Sequence, residues 1–303
     1  MTVDEAYAIC GRLAFAHYEN FPAASCLLPR PMRKHVAAVY AYARTADDLA
    51  DEGVVPVALR LQRLDEWLRW LRRSVTGDEI HASVAVGSES TVLDEATAGK
   101  APAVFLALRH TVRACDLPIS LFEDLVSAFR QDVTVHRYDS WATLLDYCRR
   151  SANPVGRLVL RIAGRREDAL DAASDAVCTA LQLTNFWQDL AIDWRRGRLY
   201  VPAEEHEATG ASLSSLDREE WTSAWAATIA RCAERTRALF ERGRSVADAV
   251  SGRLRWELRA TWLGGMRILD RLEHSGYDVF RQRPALGARD VPSIAWHTLR
   301  WRR

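Results

Sequence analysis

Residues 182–202 read QLTNFWQDLAIDWRRGRLYVP and carry a polar pattern with helical spacing. On an α-helix, positions i, i+3, i+7 and i+11 form one stripe along the axis. That stripe consists of Gln182, Asn185, Asp189 and Asp193. The other positions are mainly leucine, phenylalanine, tryptophan and isoleucine, which are too apolar for a helix surrounded by water. The pattern predicts a helix within a bundle, with its polar stripe lining a cavity.

Two carboxylates one helical turn apart suit a hard cation. Asp189 and Asp193 would stand about 6 Å apart along the helix axis. Oxygen ligands at this spacing favour Mg²⁺ that is shared with substrate phosphates. An exposed DxxxD motif on an ordinary amphipathic helix is the other interpretation, and the motif alone does not separate the two.

Residues 39–53, VYAYARTADDLADEG, repeat the arrangement in a second place. Tyr40, Arg44, Asp47 and Asp51 follow the spacing i, i+4, i+7 and i+11, which again gives one polar stripe. Two such helices could face each other. Four carboxylates can hold several divalent ions, and these ions can grip a diphosphate and stabilise it as a leaving group.

Composition and charge exclude several classes of protein. The 41 Lys and Arg residues nearly balance the 40 Asp and Glu residues, so no global field attracts nucleic acid. A chain of 303 residues with 49% hydrophobic residues can build a large core, and we expect one domain over residues 1–303. The six cysteines form no CxxC pair and no zinc-type cluster, so we expect them to be reduced core residues.

The two ends of the chain bear on localisation. The first residues, MTVDEAYAICGRLAF, place acids before the apolar positions, which argues against a secretory signal. No apolar run approaches the roughly 20 residues of a spanning helix, so we expect a cytoplasmic protein. Residues 291–303 form a basic aromatic tail, VPSIAWHTLRWRR. This tail could rest on the inner face of an anionic membrane, dock on the protein or be disordered.

Helix signals follow one another along the chain. The predicted helices cover about 4–18, a stretch ending at Gly53, 56–77, stretches from Pro102 and after Pro118, 140–164, 217–250 and 253–275. Residues 78–100 are predicted to be a loop. Asn153 and Pro154 predict a bend inside 140–164, typical of a binding cavity or of a structural kink. Gly264 and Gly265 indicate close packing or room for a ligand.

The segments RTADDLAD (44–51), NFWQDLAID (185–193) and RGRLYVP (196–202) resemble the aspartate-rich motifs of the squalene/phytoene synthase family of trans-isoprenyl diphosphate synthases. The resemblance extends from HYENF (17–21) to GYDVFRQRP (276–284). It implies an all-α isoprenoid synthase bundle with a central cavity flanked by two aspartate-rich helices. It also implies several Mg²⁺ ions, replaceable by Mn²⁺, held by Asp47, Asp51, Asp189 and Asp193.

The resemblance also assigns roles to further positions. It implies a catalytic role for Tyr147, close to the reacting carbons, beside the four aspartates. The residues that it implies for binding substrate or diphosphate are Phe21, Tyr40, Arg44, Ala152, Val155, Gly156, Gln182, Asn185, Gln188, Arg198 and Tyr200. Arginine pairs with phosphate oxygens through a planar fork, and aromatic faces stabilise a cation without trapping it. For Tyr40 and Tyr200, simple packing is the alternative.

Within the family, NFPAAS (20–25), YCRRSANPVGRL (147–158) and NFWQD (185–189) are most similar to bacterial hydroxysqualene synthases of hopanoid biosynthesis. This likeness implies a carbon–oxygen lyase that ionises presqualene diphosphate and adds water to the rearranged cation. No NADPH is expected. Gln188 and Ile192 stand where condensing members usually carry an arginine and often an acid, and Glu19, Asn20 and Gly265 also depart from some members. These differences predict weaker provision for a second allylic diphosphate.

Two alternatives stay open on the sequence. A prenyltransferase of the same family would condense two prenyl diphosphates, such as farnesyl diphosphate, to presqualene diphosphate, squalene or phytoene. A noncatalytic helical membrane-surface protein would keep the fold without the reaction, and the intact aspartate motifs argue against it. Since substrate and product are apolar, peripheral membrane contact and association with other squalene pathway enzymes are compatible with either enzyme.

Overall fold

Helices make up the regular structure of the described part of the chain. The computed structural model describes residues 1–16, 27–76 and 92–301. These ranges contain α-helices, a short 3₁₀ helix and an isolated bridge between Arg137 and Leu199, but no β-strand. The prediction of an all-α protein is confirmed.

The chain divides into two compact units. The first comprises Met1–Thr134 and Arg157–Arg166, and the second comprises Val135–Gly156 and Glu167–Arg303. The helices of the first unit are α1 (Val3–Ala16), α2 (Arg30–Asp51), α3 (Val57–Thr76), α4 (Glu95–Cys115) and α5 (Ile119–Asp132). Helix α7 (Asn153–Ile162) begins in the second unit and ends in the first. The other helices of the second unit are α6 (Trp141–Ser151), α8 (Asp168–Arg195), α9 (Ala203–Ala208), α10 (Leu213–Asp217), α11 (Ser223–Gly243), α12 (Val246–Ala249), α13 (Gly252–His274) and α14 (Val291–Leu299). The prediction of one domain over residues 1–303 stays a prediction.

An aromatic cluster fills the core of the first unit. The ring of Tyr42 on α2 stacks on Trp67 of α3 at 5.7 Å and meets Phe122 of α5 edge-on at 5.4 Å. Phe105 of α4 lies 4.5 Å from Trp67. All four rings are fully buried. This packing directs one face of α2 into the core and leaves the stripe with Arg44 partly accessible.

Helix α8 is the centre of the second unit and packs closely on α11. The buried Trp187 ring donates its Nε1–H to Thr236 Oγ1 at 2.8 Å. A β-carbon at Gly243 would lie 2.5 Å from the carbonyl oxygen of Ala173, so the end of α11 touches the backbone of α8. Such close packing holds α8, which carries the second aspartate motif, in a defined position.

The predicted loop over residues 78–100 is wrong in its last part, because α4 begins at Glu95. Asp94 caps this helix by accepting the Thr97 backbone N–H at 2.9 Å. Pro102 lies inside the helix rather than at its start. Proline there removes one backbone hydrogen bond, but the buried face of α4, with Val104 and Phe105, keeps the segment helical.

The predicted helix over 217–250 is wrong at its start and near its end, where α11 ends at Gly243 and the separate α12 covers Val246–Ala249. Asp217 ends the short α10, and α11 begins at Ser223, where Thr222 accepts the Trp225 backbone N–H at 3.3 Å. The bend at Asn153 is confirmed, since α6 ends at Ser151 and α7 begins at Asn153. The predicted helix ends near Tyr18 and Gly77 lie outside the described residues.

The last described segment packs against the second unit. Trp301 meets Trp262 of α13 edge-on at 5.2 Å. The guanidinium groups of Arg244 and Arg259 lie 4.6 Å and 5.3 Å from the centre of the Trp301 ring. Among the helices described, none combines the length and the apolar character needed to cross a membrane.

Two adjacent glycines on α13 differ in the space around them. A β-carbon at Gly265 would lie 2.3 Å from Cζ of Phe240 and 3.0 Å from Cδ2 of Leu181. At Gly264 it would meet only the flexible end of Leu286, at 3.2 Å, and that side chain is 44% exposed. Of the two predicted explanations, close packing describes Gly265.

We expect Gly265→Ala to destabilise the protein by about 1–3 kcal/mol, because the Phe240 ring must move in a packed core. The matched variant Gly264→Ala should be neutral, or stabilising by up to about 1 kcal/mol, because alanine favours the helix. Urea unfolding of both variants measures the difference. Equal stability of the two variants would contradict this account of the packing.

Candidate active site

The second aspartate motif presents its polar stripe on the accessible side of α8. Leu183, Phe186, Trp187 and Leu190 are buried, whereas Gln182, Asn185, Asp189 and Asp193 are half-buried or exposed. The division follows the helical period. The four residues that the sequence places on one stripe therefore share a face that solvent reaches.

Asp189 is held by two partners within the second unit. Asn185, one turn earlier on α8, donates its amide Nδ2–H to Asp189 Oδ2 at 2.8 Å. Arg283, which follows α13, donates Nε–H to Asp189 Oδ1 and Nη2–H to Oδ2 at 3.1 Å. This is the two-pronged geometry that arginine also offers to phosphate. Arg283 was not among the predicted site residues. Its place in the segment RQRP, residues 281–284, is the only signal for it in the sequence.

Gln188, the neighbour of Asp189, fastens the same segment. Its Nε2–H donates to the backbone carbonyl oxygen of Pro284. Two adjacent residues of α8 therefore hold residues 283–284. The side chain of Gln188, predicted to bind diphosphate, has a backbone oxygen as partner in this structure.

The turn after α8 positions Arg198 and Tyr200. The backbone N–H of Arg198 donates to the carbonyl oxygen of Asp193 at 2.8 Å. Gly197 supplies the left-handed conformation of this turn, with φ of +80°. Leu199 N–H then donates to His136 O at 2.9 Å, which returns the chain toward the residues before α6. This turn therefore brings the backbone of Arg198, five residues further along the chain, back to Asp193.

Four aromatic rings meet beside this turn. Tyr200 stacks on Phe186 of α8 with ring centres 3.7 Å apart and planes 3° apart. Tyr147 of α6 lies 6.1 Å from both rings, and Tyr138 lies 5.6 Å from Tyr147 and 5.8 Å from Tyr200. Tyr138, Tyr147 and Phe186 are buried, while Tyr200 is partly accessible. Tyr147 and Tyr200 were predicted; Tyr138 and Phe186 were missed because nothing local distinguishes them from core residues.

The bend between α6 and α7 brings small residues against α8. Ala152 is buried at the end of α6, and Val155 is half-buried on the first turn of α7. Asn153 Oδ1 accepts a hydrogen bond from Thr179 Oγ1 at 2.9 Å. A β-carbon at Gly156 would lie 2.3 Å from Ser174 Oγ and 2.5 Å from Cys178 Sγ, so glycine allows the close approach.

A buried carboxylate positions α6 and hence Tyr147. Glu205 of α9, 2% exposed, accepts the Nε1–H of Trp141 at 2.6 Å and the Nε–H of Arg231 at 2.7 Å. Arg235 lies 3.3 Å from the same carboxylate. Burial acts to raise the pKa of Glu205, but the hydrogen bonds from Arg231 and Trp141 outweigh it and leave the pKa lowered.

The first aspartate motif, on α2, is organised around Arg44. Its guanidinium lies 3.1 Å from Asp47 and 2.7 Å from Asp48. Lys100 of α4 lies 3.7 Å from Asp48. Asp48 was not among the residues predicted to belong to the site. Burial acts to lower the pKa of Arg44, but Asp48 and Asp47 outweigh it and raise the pKa. The motif is thus a network of charges in which Asp51, at the end of α2, is exposed.

Tyr40 and Phe21 are the remaining residues predicted to bind substrate or diphosphate. Tyr40 is buried on α2, and burial raises the pKa of its hydroxyl. Tyr40 is therefore expected to be a neutral phenol at physiological pH. Phe21, predicted to bind substrate, lies outside the described residues.

Comparison with known proteins identifies the family. The sequence pattern of the family described as squalene/phytoene synthase matches residues 15–290. This chain is a member of the squalene/phytoene synthase family. The hydroxysqualene synthase of Zymomonas mobilis subsp. mobilis is 36% identical over 233 residues, which cover 77% of this chain and 71% of that protein. The 15-cis-phytoene synthase of Synechococcus elongatus is 28% identical over 295 residues, which cover 93% of this chain and 88% of that protein.

A solved member of the family has the same architecture. The crystal structure of squalene synthase HpnC from Alicyclobacillus acidocaldarius matches with a TM-score of 0.78 and 38% identity, covering 91% of this chain and 95% of that one. The fold of this family member is therefore the all-α isoprenoid synthase fold, as the resemblance implied.

The donor set of the two motifs fits Mg²⁺. Each motif offers two carboxylates one helical turn apart, Asp47 with Asp51 and Asp189 with Asp193, on the accessible side of its helix. Carboxylate oxygens are the ligands that Mg²⁺ prefers, and the ion keeps positions for water and substrate phosphates. Among the residues described, no three His, Cys, Asp or Glu side chains already form a metal cluster.

Glu205 gives a pH-dependent test of the support under Tyr147. We expect Glu205→Gln to lower the free energy of unfolding by roughly 1–2 kcal/mol at pH 7, since a charged acceptor of two hydrogen bonds becomes neutral. Arg231 and Arg235 are about half exposed, which keeps the effect modest.

The sign of the pH effect follows from the lowered pKa of Glu205. The contribution is complete above the ordinary glutamate pKa of about 4.3 and is lost as the pH falls through the lower value of the folded protein. Urea unfolding at pH 7 and pH 3 should show a difference between wild type and variant that shrinks in acid. The control is Glu207→Gln, an exposed change on the same helix. A difference of equal size at both pH values would contradict the assignment.

Proposed function

We propose that this protein is a hydroxysqualene synthase. The C–O bond between presqualene and its diphosphate breaks, the cyclopropylcarbinyl cation rearranges, and water adds to it with loss of a proton. The products are hydroxysqualene and diphosphate. Hydroxysqualene synthases at 36% and 32% identity support this branch of the family.

The observation that carries the proposal is the joint position of charge and aromatic rings on α8. Asp189 and its partners lie one turn from Phe186, which belongs to the four-ring cluster with Tyr200 and Tyr147. Ionisation of presqualene diphosphate creates a diphosphate anion and a carbocation at once. An enzyme for this step needs cationic and metal-binding groups to stabilise the diphosphate anion and aromatic faces to stabilise the carbocation.

Arginines provide the cationic groups. Arg283 already makes a two-pronged contact with a carboxylate, and Arg198 follows Asp193 in the turn after α8. We infer that Arg283 exchanges Asp189 for diphosphate oxygens when substrate binds, because both partners offer the same paired acceptors. Arg44, in the charge network of α2, is assigned to diphosphate as well.

Asp47, Asp51, Asp189 and Asp193 are assigned as the Mg²⁺ ligands. When bound, the ions supply Lewis-acid stabilisation of the departing diphosphate. The protein residues orient the diphosphate, keep bulk water from the cation and present the rings. No nucleophilic side chain is required for hydration.

Gln182, Asn185, Gln188 and Tyr147 are the polar side chains of the site that could position the attacking water. Asn185 donates to Asp189, and Gln188 donates to Pro284. Their amide groups therefore have roles in holding the second motif. We assign the attacking water to Gln182, which is half-buried on the same stripe.

The neutral Gln188 also favours hydration over condensation. Condensing members usually carry an arginine at this place, where a charge would serve a second diphosphate. In this chain the amide donates to a backbone carbonyl oxygen instead.

The second candidate function is a prenyltransferase, and the match to a phytoene synthase over 93% of this chain favours it.

The two functions differ in the substrate consumed. We expect purified protein with Mg²⁺, without NADPH, to convert presqualene diphosphate to hydroxysqualene and to leave farnesyl diphosphate unchanged. Mass spectrometry of the extracted products, with a metal-chelated sample as control, makes the measurement. A coupled product from farnesyl diphosphate would place the protein among the condensing enzymes, and no diphosphate release from either substrate would support a noncatalytic role.

Removal of single aspartates tests the assigned ligands. Asp51→Ala and Asp189→Ala should each lower turnover at least about 100-fold, because charge developing on the diphosphate loses its stabilisation. Far-ultraviolet circular dichroism should stay unchanged, since Asp51 is exposed and the buried face of α8, with Trp187 and Leu190, keeps that helix in place. Asp168→Ala, an exposed change in the first turn of α8, is the matched control and should keep activity. Retained turnover in Asp189→Ala with the same Mg²⁺ requirement would refute the assignment.

A further inference from the structure

Helix α14 turns its apolar residues outward. Val291, Trp296 and Leu299 are 62%, 51% and 66% exposed, and Pro292 and Ala295 are exposed as well. Positions i, i+1, i+4, i+5 and i+8 lie on one face of a helix. These five residues form a continuous surface, named here the α14 stripe. Leu286, just before the helix, adds another exposed apolar side chain.

The opposite side of α14 is docked, so the stripe is not the result of a detached helix. Thr298 is 5% exposed on the inner side. Trp301, three residues further along the chain, packs its ring on Trp262. The guanidinium groups of Arg244 and Arg259 also contact the Trp301 ring. The inner side of α14 thus carries the buried Thr298 and the half-buried Ser293 and Ile294, while most of its apolar residues face outward, unlike in an ordinary surface helix.

The described segment that carries the stripe has more basic than acidic residues. Residues 281–301 contain four arginines, of which Arg283 pairs with Asp189, and one acid, Asp290. Asp290 is 3% exposed and is paired with Arg271 at 2.6 Å and with Arg267 at 3.5 Å. The single negative charge is thus neutralised inside the protein. Arg300 lies 4.0 Å above the ring of Trp296, which places a cation directly on the exposed apolar surface.

We propose that the α14 stripe is a membrane-binding surface for a bilayer that contains anionic lipids. Trp296, Leu299 and Val291 would enter the boundary between headgroups and acyl chains. Arg300 and Arg289 would face lipid phosphates. Tryptophan beside arginine on a short apolar face is the composition that the interfacial region of a bilayer favours.

A bilayer fits the stripe better than a protein partner does. A stable protein interface takes about 20–30 residues from each side, whereas the stripe has five residues on one nine-residue helix. Among the described residues, Arg289 and Arg300 have no carboxylate partner, so a negatively charged surface complements them. Attachment through α14 does not depend on which reaction the protein catalyses.

The test is a flotation assay of the full chain with two kinds of vesicle. One kind contains equal parts of phosphatidylglycerol and phosphatidylcholine, and the other contains phosphatidylcholine alone. We expect binding to the anionic vesicles that weakens as salt is raised, and little binding to the neutral ones. The double variant Trp296→Ser with Leu299→Ser should bind the anionic vesicles at least about tenfold more weakly.

Two further variants separate the causes. Val54→Ser with Val57→Ser replaces two exposed apolar residues elsewhere, 108% and 52% exposed, and should bind like wild type. Arg289→Gln with Arg300→Gln should bind more weakly and with less dependence on salt. Thermal unfolding of every variant should match wild type, because the changed side chains are exposed.

Several outcomes would overturn the proposal. These are absence of binding to anionic vesicles, equal binding to neutral vesicles, and equal binding by the Trp296 and Leu299 variant. Self-association that this variant abolishes, without vesicle binding by wild type, would identify the stripe as a contact between copies of the chain.

Discussion

A carboxylate that is partly removed from water needs a counter-charge, and this requirement organises the second unit. Asp189 meets it through Arg283, which lies 94 residues further along the chain. The ion pair and the neighbouring contact between Gln188 and Pro284 join the segment after α13 to α8. The same carboxylate is assigned to Mg²⁺ in the proposed function, and in this structure Arg283 holds it in place. The path of the chain from α13 to α14 follows from this attachment.

Helix α8 can present charge on one side only because the other side is packed closely. Gly156, Gly243 and Gly265 each lie where a β-carbon would approach another atom within 2.3–2.5 Å. Trp187 fills the remaining space and satisfies its N–H with Thr236. Close packing of this kind leaves few alternative positions for a helix. The accessible stripe and the ring of Phe186 therefore keep a constant relation to each other, which is what stabilising a reactive cation beside its leaving group requires.

The chemistry proposed for the site needs little from the side chains beyond position and charge. Four rings meet at the site, those of Tyr147 on α6, Tyr200 in the turn after α8, Phe186 on α8 and Tyr138 before α6. Two contacts bring their segments together. One is the carboxylate of Glu205 at Trp141, and the other is the backbone pairing of Leu199 with His136. The outward-facing stripe of α14 serves no part of this arrangement. An exposed apolar surface with Arg300 on its Trp296 ring is typical of an interaction site, which is the reason for assigning it to a lipid boundary.

The sequence alone determined the helical class, both aspartate motifs and the bend at Asn153, because each depends on residues within a few turns of one another. Helical periodicity, capping and proline stereochemistry act over that range. The sequence-based prediction was wrong at the start of α4, where the cap at Asp94 and the buried face of the helix outweighed Pro102. Only the tertiary structure decided that Arg283 holds Asp189, that Tyr138 and Phe186 join the ring cluster, and that the apolar side of α14 faces outward. These contacts join residues far apart in the chain, and no local pattern encodes which distant side chain completes a buried or charged pair.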